Sequence, residues 1–387
     1  MNSIVVLLLV VLAVVAAGLV AWAIVHRRYV KSLEAKGWRY EGSPSISVAH
    51  GLNVSPFGLG FERKVERAVH GSNADGVPFI AFEYRSSAWR GAGYVLTLPL
   101  PHSLPPAAVS AESGIGTPAG PEYAAELAAC LTPARGFEVT VDHARLVLLN
   151  APTDADGLER ALQALTAARA ALLASPAMRR QGPPPPPGLS FVGHPDWSYQ
   201  PRGDELLRQL RHTGGGSNHE AHDIILSQNQ GLPFLRLRHT WQTTHTTTDS
   251  EGRSHTTTTN HEEILCEFRT TFPFLELSAN WGWFGRTQRF EWEEFNDRFR
   301  IEAADRRLAH AVLHQRQMEY LMEVNAPKFA ISADGSIELG EGGRWLPADI
   351  ERADGFLRGF FSRVPNHVWQ DLGAWPRPIP ELESDPA

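Results

Sequence analysis

Four histidines beside a threonine-rich stretch have the type and spacing that most resemble a metal site: His239, His245, His255 and His261. The stretch predicts a long β-hairpin. With its turn centred on Ser250, His245 faces His255 and His239 faces His261. The two pairs then lie about 20 Å apart at roughly 3.3 Å per residue, and each supplies two imidazoles where zinc needs three or four ligands. We therefore predict a solvent-facing ribbon without a metal, and keep metal binding by these histidines as the alternative.

The segment His219-Glu220-Ala221-His222 resembles a fragment of a zinc-protease motif. That motif requires two histidines at i and i+4 on one helical face, whereas the spacing here is three. The preceding Gly214–Gly216 is not followed by the Lys-Ser/Thr pair of a phosphate-binding loop. We interpret these glycines as a mobile loop rather than a phosphate cradle.

Other candidate groups give no catalytic signature. Cys130 and Cys266 lie in apolar segments and are expected to be small core residues, and no serine has a Gly-x-Ser-x-Gly elbow. An acidic cluster lies among aromatic residues, the mix expected of an amphipathic segment: Glu291, Glu293, Glu294 and Asp297. Catalytic residues therefore stay unknown, and no cofactor is predicted. A net charge of −7 without a basic, aromatic-studded stripe argues against nucleic-acid binding.

The first element of the chain is an uninterrupted apolar run over residues 4–25. As a helix it is about 33 Å long, enough to cross the hydrocarbon core of a bilayer. A short basic flank follows, formed by Arg27, Arg28 and Lys31. The positive-inside rule then predicts a single-pass inner-membrane protein with residues 1–3 outside and the remaining chain in the cytoplasm. Two cysteines in 387 residues agree with a reducing compartment.

Two alternatives concern this N-terminal segment. Ala21-Trp22-Ala23 resembles a signal-peptide cleavage site, which would give an exported form. The run is longer than a signal core, and no basic residue precedes it, so we favour a retained anchor. The basic flank either stops translocation, the interpretation we favour, or binds anionic lipid headgroups.

The rest of the chain predicts two domains separated by a proline run, Pro183–Pro187. The run is typical of a polyproline spacer, with an SH3 ligand as the alternative. The predicted boundaries are an anchor over 4–25, a juxtamembrane segment over 26–36, a first domain over 37–176, a linker over 177–190, a second domain over 191–366 and a tail over 367–387.

The two domains share a series of short sequence matches in the same order, which predicts a duplication. The matches pair 37–40 with 196–199, 76–79 with 231–234, 103–105 with 271–273, 108–110 with 276–278, 137–142 with 329–334 and 158–161 with 350–353. The second copy has two additions, the threonine-rich stretch 240–260 and the segment 281–324, whose latter part, 308–322, predicts a helix.

Periodicity within the first copy switches from strand to helix. Strands are predicted over 77–85, 94–100, 137–141 and 145–149, and a helix over 158–174 capped by Asp154 or Asp156. A strand-rich block that ends in a helix predicts an α+β fold with the helix packed on an antiparallel sheet. A pleckstrin-homology-like barrel is one specific form.

The C-terminal portion, 231–369, resembles an uncharacterised family of actinobacterial membrane-anchored proteins. The likeness rests on a Gly-x-Pro-Phe strand, the threonine- and histidine-rich hairpin, Glu294-Phe295-Asn296-Asp297-Arg298-Phe299-Arg300-Ile301 and the segment from Leu308 to Met318. Leu308 and Ile301 stand where that family usually has Phe and Val. The resemblance implies no activity and no site residues.

These observations favour a non-catalytic binding or scaffolding module that is held at the membrane by residues 4–25 and meets a protein partner there. The alternative is a membrane-tethered hydrolase or metal-dependent enzyme built on the histidine-bearing hairpin.

Overall fold

The computed structural model describes residues 2–110, 114–210, 214–228, 231–248, 252–280, 286–340 and 343–379. Over these residues the chain is an α+β protein in which an apolar N-terminal helix, α1 (Asn2–Glu34), precedes two antiparallel sheets. The predicted fold class is confirmed. The chain divides into two compact units, Met1–Pro195 and Asp196–Ala387, referred to below as the first and second unit.

Helix α1 contains the one segment of the described chain that is long and apolar enough to cross a membrane, Val11–Glu34. A signal sequence near the N-terminus passes the same test of length and composition. The side chains of 11–25 are exposed, as expected of a surface that meets lipid. The C-terminal end of the helix is packed on protein instead, because Leu33 is fully buried and belongs to the core of the first unit.

The first unit has an antiparallel sheet. Its strands are β1 (Arg39–Glu41), β2 (Lys64–Ser72), β3 (Pro78–Ser86), β4 (Trp89–Arg90), β5 (Tyr94–Pro99), β6 (Ala107–Ser110), β7 (Gly114–Gly116), β8 (Glu138–Asp142) and β9 (Arg145–Ala151). They are ordered β1-β2-β3-β5-β9-β8-β6-β7, with β4 beside β3. The strands predicted over 77–85, 94–100, 137–141 and 145–149 correspond to β3, β5, β8 and β9.

Two helices complete the first unit, α2 (Pro121–Cys130) and α3 (Ala155–Ala174). The Asp154 carboxylate accepts a hydrogen bond from the Gly157 amide at 2.7 Å and caps α3. Leucines at helical spacing on α3 are buried in the same core as the leucines of β5 and β9. The predicted helix, its cap and its packing on the sheet are confirmed.

The second unit also has an antiparallel sheet. Its strands are β11 (His194–Arg202, which begins at the unit boundary), β12 (Ser217–Ser227), β13 (Phe234–Thr248), β14 (Ser254–Arg269), β15 (Leu277–Ala279), β16 (Arg286–Gln288), β17 (Ile301–Ala303), β18 (Phe329–Ile331) and β19 (Ser336–Leu339), and they follow the short strand β10 (Leu189–Phe191). From β11 onward the order is β11-β12-β13-β14-β19-β18-β15-β17-β16.

The helices of the second unit are α4 (Glu293–Arg298), α5 (Arg306–Val312), α6 (Gln315–Glu323), α7 (Pro347–Ser362) and α8 (Asn366–Asp371). The single helix predicted over 308–322 is two helices, because the chain leaves the helical conformation at Leu313 and His314. An aromatic core joins α7, α8 and the loop before β15. Phe361, for example, lies 5.0 Å from Phe274 between ring centroids.

Two segments expected to lie outside the domains make contacts within the units. The proline run 183–187 lies along the first unit, where the Gly182 amide donates to the Ser103 carbonyl at 2.8 Å. The predicted tail over 367–387 begins with α8, whose Trp369 is fully buried. The end of that tail, 380–387, and the start of the predicted insertion, 281–285, lie outside the described residues.

Candidate functional site

The predicted hairpin is present, but its register differs from the prediction by two residues. Strands β13 and β14 pair over 15 consecutive positions, and His245 lies opposite Thr257 rather than His255. His239 lies opposite Glu263 rather than His261. The pairing is centred on residue 251 and not on Ser250, in a turn whose residues 249–251 lie outside the described part of the chain.

The outer half of this hairpin projects beyond the neighbouring strands. Strand β12 follows β13 only as far as Gln242, and β19 pairs with β14 only at Phe268 and Arg269. Residues 244–248 and 252–260 are exposed. We call residues 243–248 and 252–260 the Thr ribbon. Its residues include no Lys and no Pro, the two residue types that most often protect a sheet edge from pairing.

A column of aromatic rings lies at the base of the Thr ribbon. The rings of His219, His239, Trp241 and His261 are stacked in that order, with successive centroids 5.1, 4.6 and 5.0 Å apart and interplanar angles of 14–18°. Trp241 and His261 are direct cross-strand partners. Stacking of this kind stabilises neighbouring strands, so the column stabilises the strand pairing at the base of the ribbon.

Hydrogen bonds fix the rings of this column. His239 is fully buried, and its Nδ1 lies 2.9 Å from Oε1 of Glu263. Because a carboxylate only accepts, Nδ1 carries a proton, and in the neutral imidazole Nε2 accepts from Nδ1 of His219, 2.9 Å away. The arrangement is a carboxylate–imidazole–imidazole chain that uses both nitrogens of His239. No nitrogen of the His239 ring is left to bind a metal.

The four candidate ligands are therefore distributed over different environments. His239 and His261 belong to the stacked column, where Nε2 of His261 lies 2.7 Å from Oγ1 of Thr243. His245 and His255 are exposed on the Thr ribbon, opposite Thr257 and Thr247. Within the residues that the structure describes, no group of three His, Cys, Asp or Glu side chains is placed to hold a metal ion.

The segment 219–222 lies on strand β12, so its histidines cannot act as a helical metal pair. His219 turns toward His239, whereas Nε2 of His222 lies 3.1 Å from Oε2 of Glu220. Gly216 lies against the Trp241 ring and the Gln242 carbonyl, where an added Cβ would come within 2.4 Å of that oxygen. At this position glycine permits a close approach of two backbones.

The thiols and the acidic cluster lack the environment of catalytic groups. Cys130 and Cys266 are free and buried, and burial raises the pKa of both thiols, which disfavours the reactive thiolate. The four acidic side chains at and before α4 are exposed, while Phe295 between them is buried. This is the amphipathic arrangement that the sequence predicts.

The predicted basic flank lies on the last turns of α1. Arg27, Arg28 and Lys31 are exposed, on the stretch of helix between the apolar run and the buried Leu33. The Tyr29 hydroxyl of the same stretch hydrogen-bonds the Tyr94 hydroxyl at 2.7 Å. The three cations are thus held close to the first unit by a continuous helix.

A buried polar pair in the first unit was not singled out from the sequence. Asp142 is fully buried, and its Oδ1 accepts from Nδ1 of His143 at 2.7 Å. Its Oδ2 accepts from the backbone amides of Asn53 and Val54 at 2.8 and 2.9 Å. The sequence indicates only a turn at Asp142-His143-Ala144. No local pattern could reveal partners 88 and 89 positions away.

The fold and these sites define a class, an α+β protein of two sheet-containing units behind an apolar N-terminal helix. Comparison of the chain with protein-family models, with curated proteins and with solved structures gives no match in any of the three. The resemblance to the actinobacterial family stays a prediction.

Proposed function

We propose that the protein is a single-pass membrane-anchored binding module whose two units face the cytoplasm and recruit a protein partner through the Thr ribbon. The observation that carries the proposal is the ribbon itself. Its outer strand edges have no neighbouring strand among the described residues, and its side chains are short, uncharged for the most part and exposed. An unpaired edge offers backbone donors and acceptors to an incoming strand.

Photocrosslinking in living cells tests this role. A photoreactive residue at Thr257 is expected to give a discrete adduct with one protein, and the same residue at Glu351, on the exposed side of α7, is expected to give none. Lysine at both His245 and Thr246 should abolish the Thr257 adduct, because charged side chains block edge pairing. Absence of an adduct, or the same adduct from both positions, would contradict the proposal.

The base of α1 supports a retained anchor. The apolar run 4–25 is long enough for the hydrocarbon core, and the remaining nine residues of the helix add only about 13 Å before the first unit begins. The exposed Arg27, Arg28 and Lys31 on this stretch support a cytoplasmic location for both units. Trp22, a residue type enriched at membrane–water interfaces, is exposed near the end of the apolar run.

Orientation is testable with a membrane-impermeant maleimide. The native cysteines are buried, so a Thr257→Cys variant has one accessible thiol. We expect labelling only after the membrane is permeabilised. Labelling in intact cells, or a mature chain that begins after Ala23, would instead support the exported form.

Stoichiometric zinc that is lost in His245→Ala would support the metal-dependent enzyme.

We infer, in addition, that the two units descend from one duplicated domain. In support, β1-β2-β3-β5-β9-β8-β6 and β11-β12-β13-β14-β19-β18-β15 have the same antiparallel order. Trp38 meets Phe79 at 5.2 Å and 82°, and Trp197 meets Phe234 at 5.1 Å and 83°. An experimental structure with a different strand order in either unit would overturn this inference.

A further inference from the structure

A half-open cavity of about 700 Å³ lies at the surface of the first unit. This volume is within the range of small-molecule binding sites, roughly 300–1,000 Å³. Much of its wall is proline, from Pro106, Pro118 and the run 183–187, with Val192 nearby. Pyrrolidine rings present rigid apolar surface, so the cavity loses little conformational entropy when a ligand enters.

The polar lining residues cluster around one buried carboxylate. His143 lines the cavity, as do Asn53 and Ser55. The Asp142 carboxylate accepts hydrogen bonds from Nδ1 of His143 at 2.7 Å and from the Asn53 amide at 2.8 Å. Because Nδ1 is the donor to Asp142, the neutral imidazole has Nε2 left as a hydrogen-bond acceptor.

The backbone at His143 is held in the left-handed region, with φ of 55°. Asparagine, aspartate and histidine adopt this conformation more often than other residues that have a side chain. The hydrogen bond to the buried Asp142 fixes the ring at the edge of the cavity. The β8–β9 turn and this hydrogen bond together place His143.

The residues that line the cavity limit the charge that a ligand can carry. No Lys, Arg, Asp or Glu is among the described residues that line the cavity. A phosphate or carboxylate group would lose its hydration without gaining a cation. The cavity therefore suits an uncharged molecule.

We propose that this cavity binds a neutral, largely apolar small molecule that donates one hydrogen bond, from a hydroxyl or an N–H group, to Nε2 of His143. This ligand site is separate from the Thr ribbon and does not depend on the partner binding proposed above.

Equilibrium dialysis of two matched probes tests the proposal on the full chain in lipid nanodiscs, with binding to empty nanodiscs subtracted. The probes are 2-naphthol, which has a hydroxyl donor, and 2-methoxynaphthalene, which lacks one. We expect 2-naphthol to bind with one-to-one stoichiometry and at least threefold more tightly than the methyl ether, the ratio expected of about one hydrogen bond. Equal affinities would overturn the role of His143, and no saturable binding of either probe would overturn the site.

Two variants separate the cavity from the polar contact. Gly116→Leu adds bulk to the cavity wall, where a Cβ meets only the Ala108 carbonyl at 4.0 Å, and should weaken both probes more than tenfold. Gly215→Leu, at an open position that does not line the cavity, is the matched control and should leave both affinities unchanged. His143→Gly suits the positive φ, has no side-chain acceptor and should abolish the preference for 2-naphthol while the methyl ether still binds. Unchanged binding in Gly116→Leu would place the probes elsewhere, and a preserved preference in His143→Gly would overturn the assigned acceptor.

Discussion

The hydroxyl oxygen of Tyr29, on helix α1, lies 2.7 Å from that of Tyr94, the first residue of β5. One turn further along α1, Leu33 is fully buried in the core that contains α3 and β5. Just beyond the helix, Lys36 forms ion pairs with Asp156 and Glu159 at 2.9 and 2.7 Å. Helix α1 is thus also a structural element of the first unit.

Leu33→Ala should destabilise the first unit. Removal of a fully buried leucine side chain costs about 2–5 kcal/mol, from lost burial and the cavity that it leaves. Leu12→Ala on the same helix is the control, because Leu12 is exposed and does not belong to the core cluster that contains Leu33. Urea unfolding of the full chain in detergent micelles, followed by near-UV circular dichroism, measures the difference. Equal midpoints for the two variants would show that α1 does not pack as described.

Glu263→Ala should weaken the base of the Thr ribbon. The substitution leaves Nδ1 of the buried His239 without its acceptor, which costs about 1–3 kcal/mol. Glu262→Ala, one residue away, removes only a surface ion pair with Arg238 and should cost about 0–1 kcal/mol. Hydrogen exchange of the β13 and β14 amides provides the local readout. Faster exchange is expected in Glu263→Ala alone.

Arg236→Lys should destabilise the second unit by about 2 kcal/mol or more. The buried guanidinium donates to three backbone carbonyls, those of Asp223, Arg344 and Trp345, at 2.7–3.2 Å. An ammonium group lacks the planar fork and leaves buried acceptors unpaired. Arg289→Lys, at a highly exposed arginine, is the matched control. Thermal unfolding monitored by tryptophan fluorescence compares the two, and a similar midpoint would contradict the inferred role.

Acid should destabilise the first unit in part through Glu83. Burial raises the pKa of this carboxyl, but hydrogen bonds and positive charge from Arg67 and Arg85 outweigh burial and hold the pKa below its ordinary value of 4.5. A lowered pKa in the folded state stabilises the fold above about pH 4.5, and that stability is lost as the pH falls through the folded-state pKa.

Urea unfolding at pH 7, 5 and 4 tests this dependence. Glu83→Gln should be less stable than the native chain at pH 7 and should lose less of its remaining stability between pH 5 and 4. Glu291→Gln, at an exposed carboxylate, should follow the native pH profile. Parallel profiles for the native chain and Glu83→Gln would exclude the contribution of this carboxyl.

Local signals in the sequence were sufficient for five elements of the first unit, the strands β3, β5, β8 and β9 and the helix α3. Helix α3 follows from leucines at spacings of three and four and from Asp154, because both depend only on neighbouring residues. Strand β3 follows in the same way from the run of aromatic and apolar residues after Gly76. In α3 the period of burial is that of the helix itself.

The register of the β13–β14 hairpin and the long-range contacts could not be predicted from the sequence. Threonine occupies most positions of the ribbon on both strands, so the pattern alone could not distinguish a turn centred on Ser250 from one centred on residue 251. This shift of the centre by one residue changes the pairing by two residues and places Glu263 rather than His261 opposite His239. The carboxylate of Asp142 meets the Asn53 amide across 89 positions, and no periodic signal connects residues so far apart.

The continuous junction at Leu33 has a mechanical consequence. A helix in a bilayer adjusts its tilt to the thickness of the hydrocarbon layer. The last turns of α1 are packed on the first unit through Tyr29 and Leu33. No flexible linker therefore separates the tilt of the helix from the orientation of the first unit. In a bilayer, the thickness of the host membrane would therefore set the angle at which the first unit meets the aqueous phase.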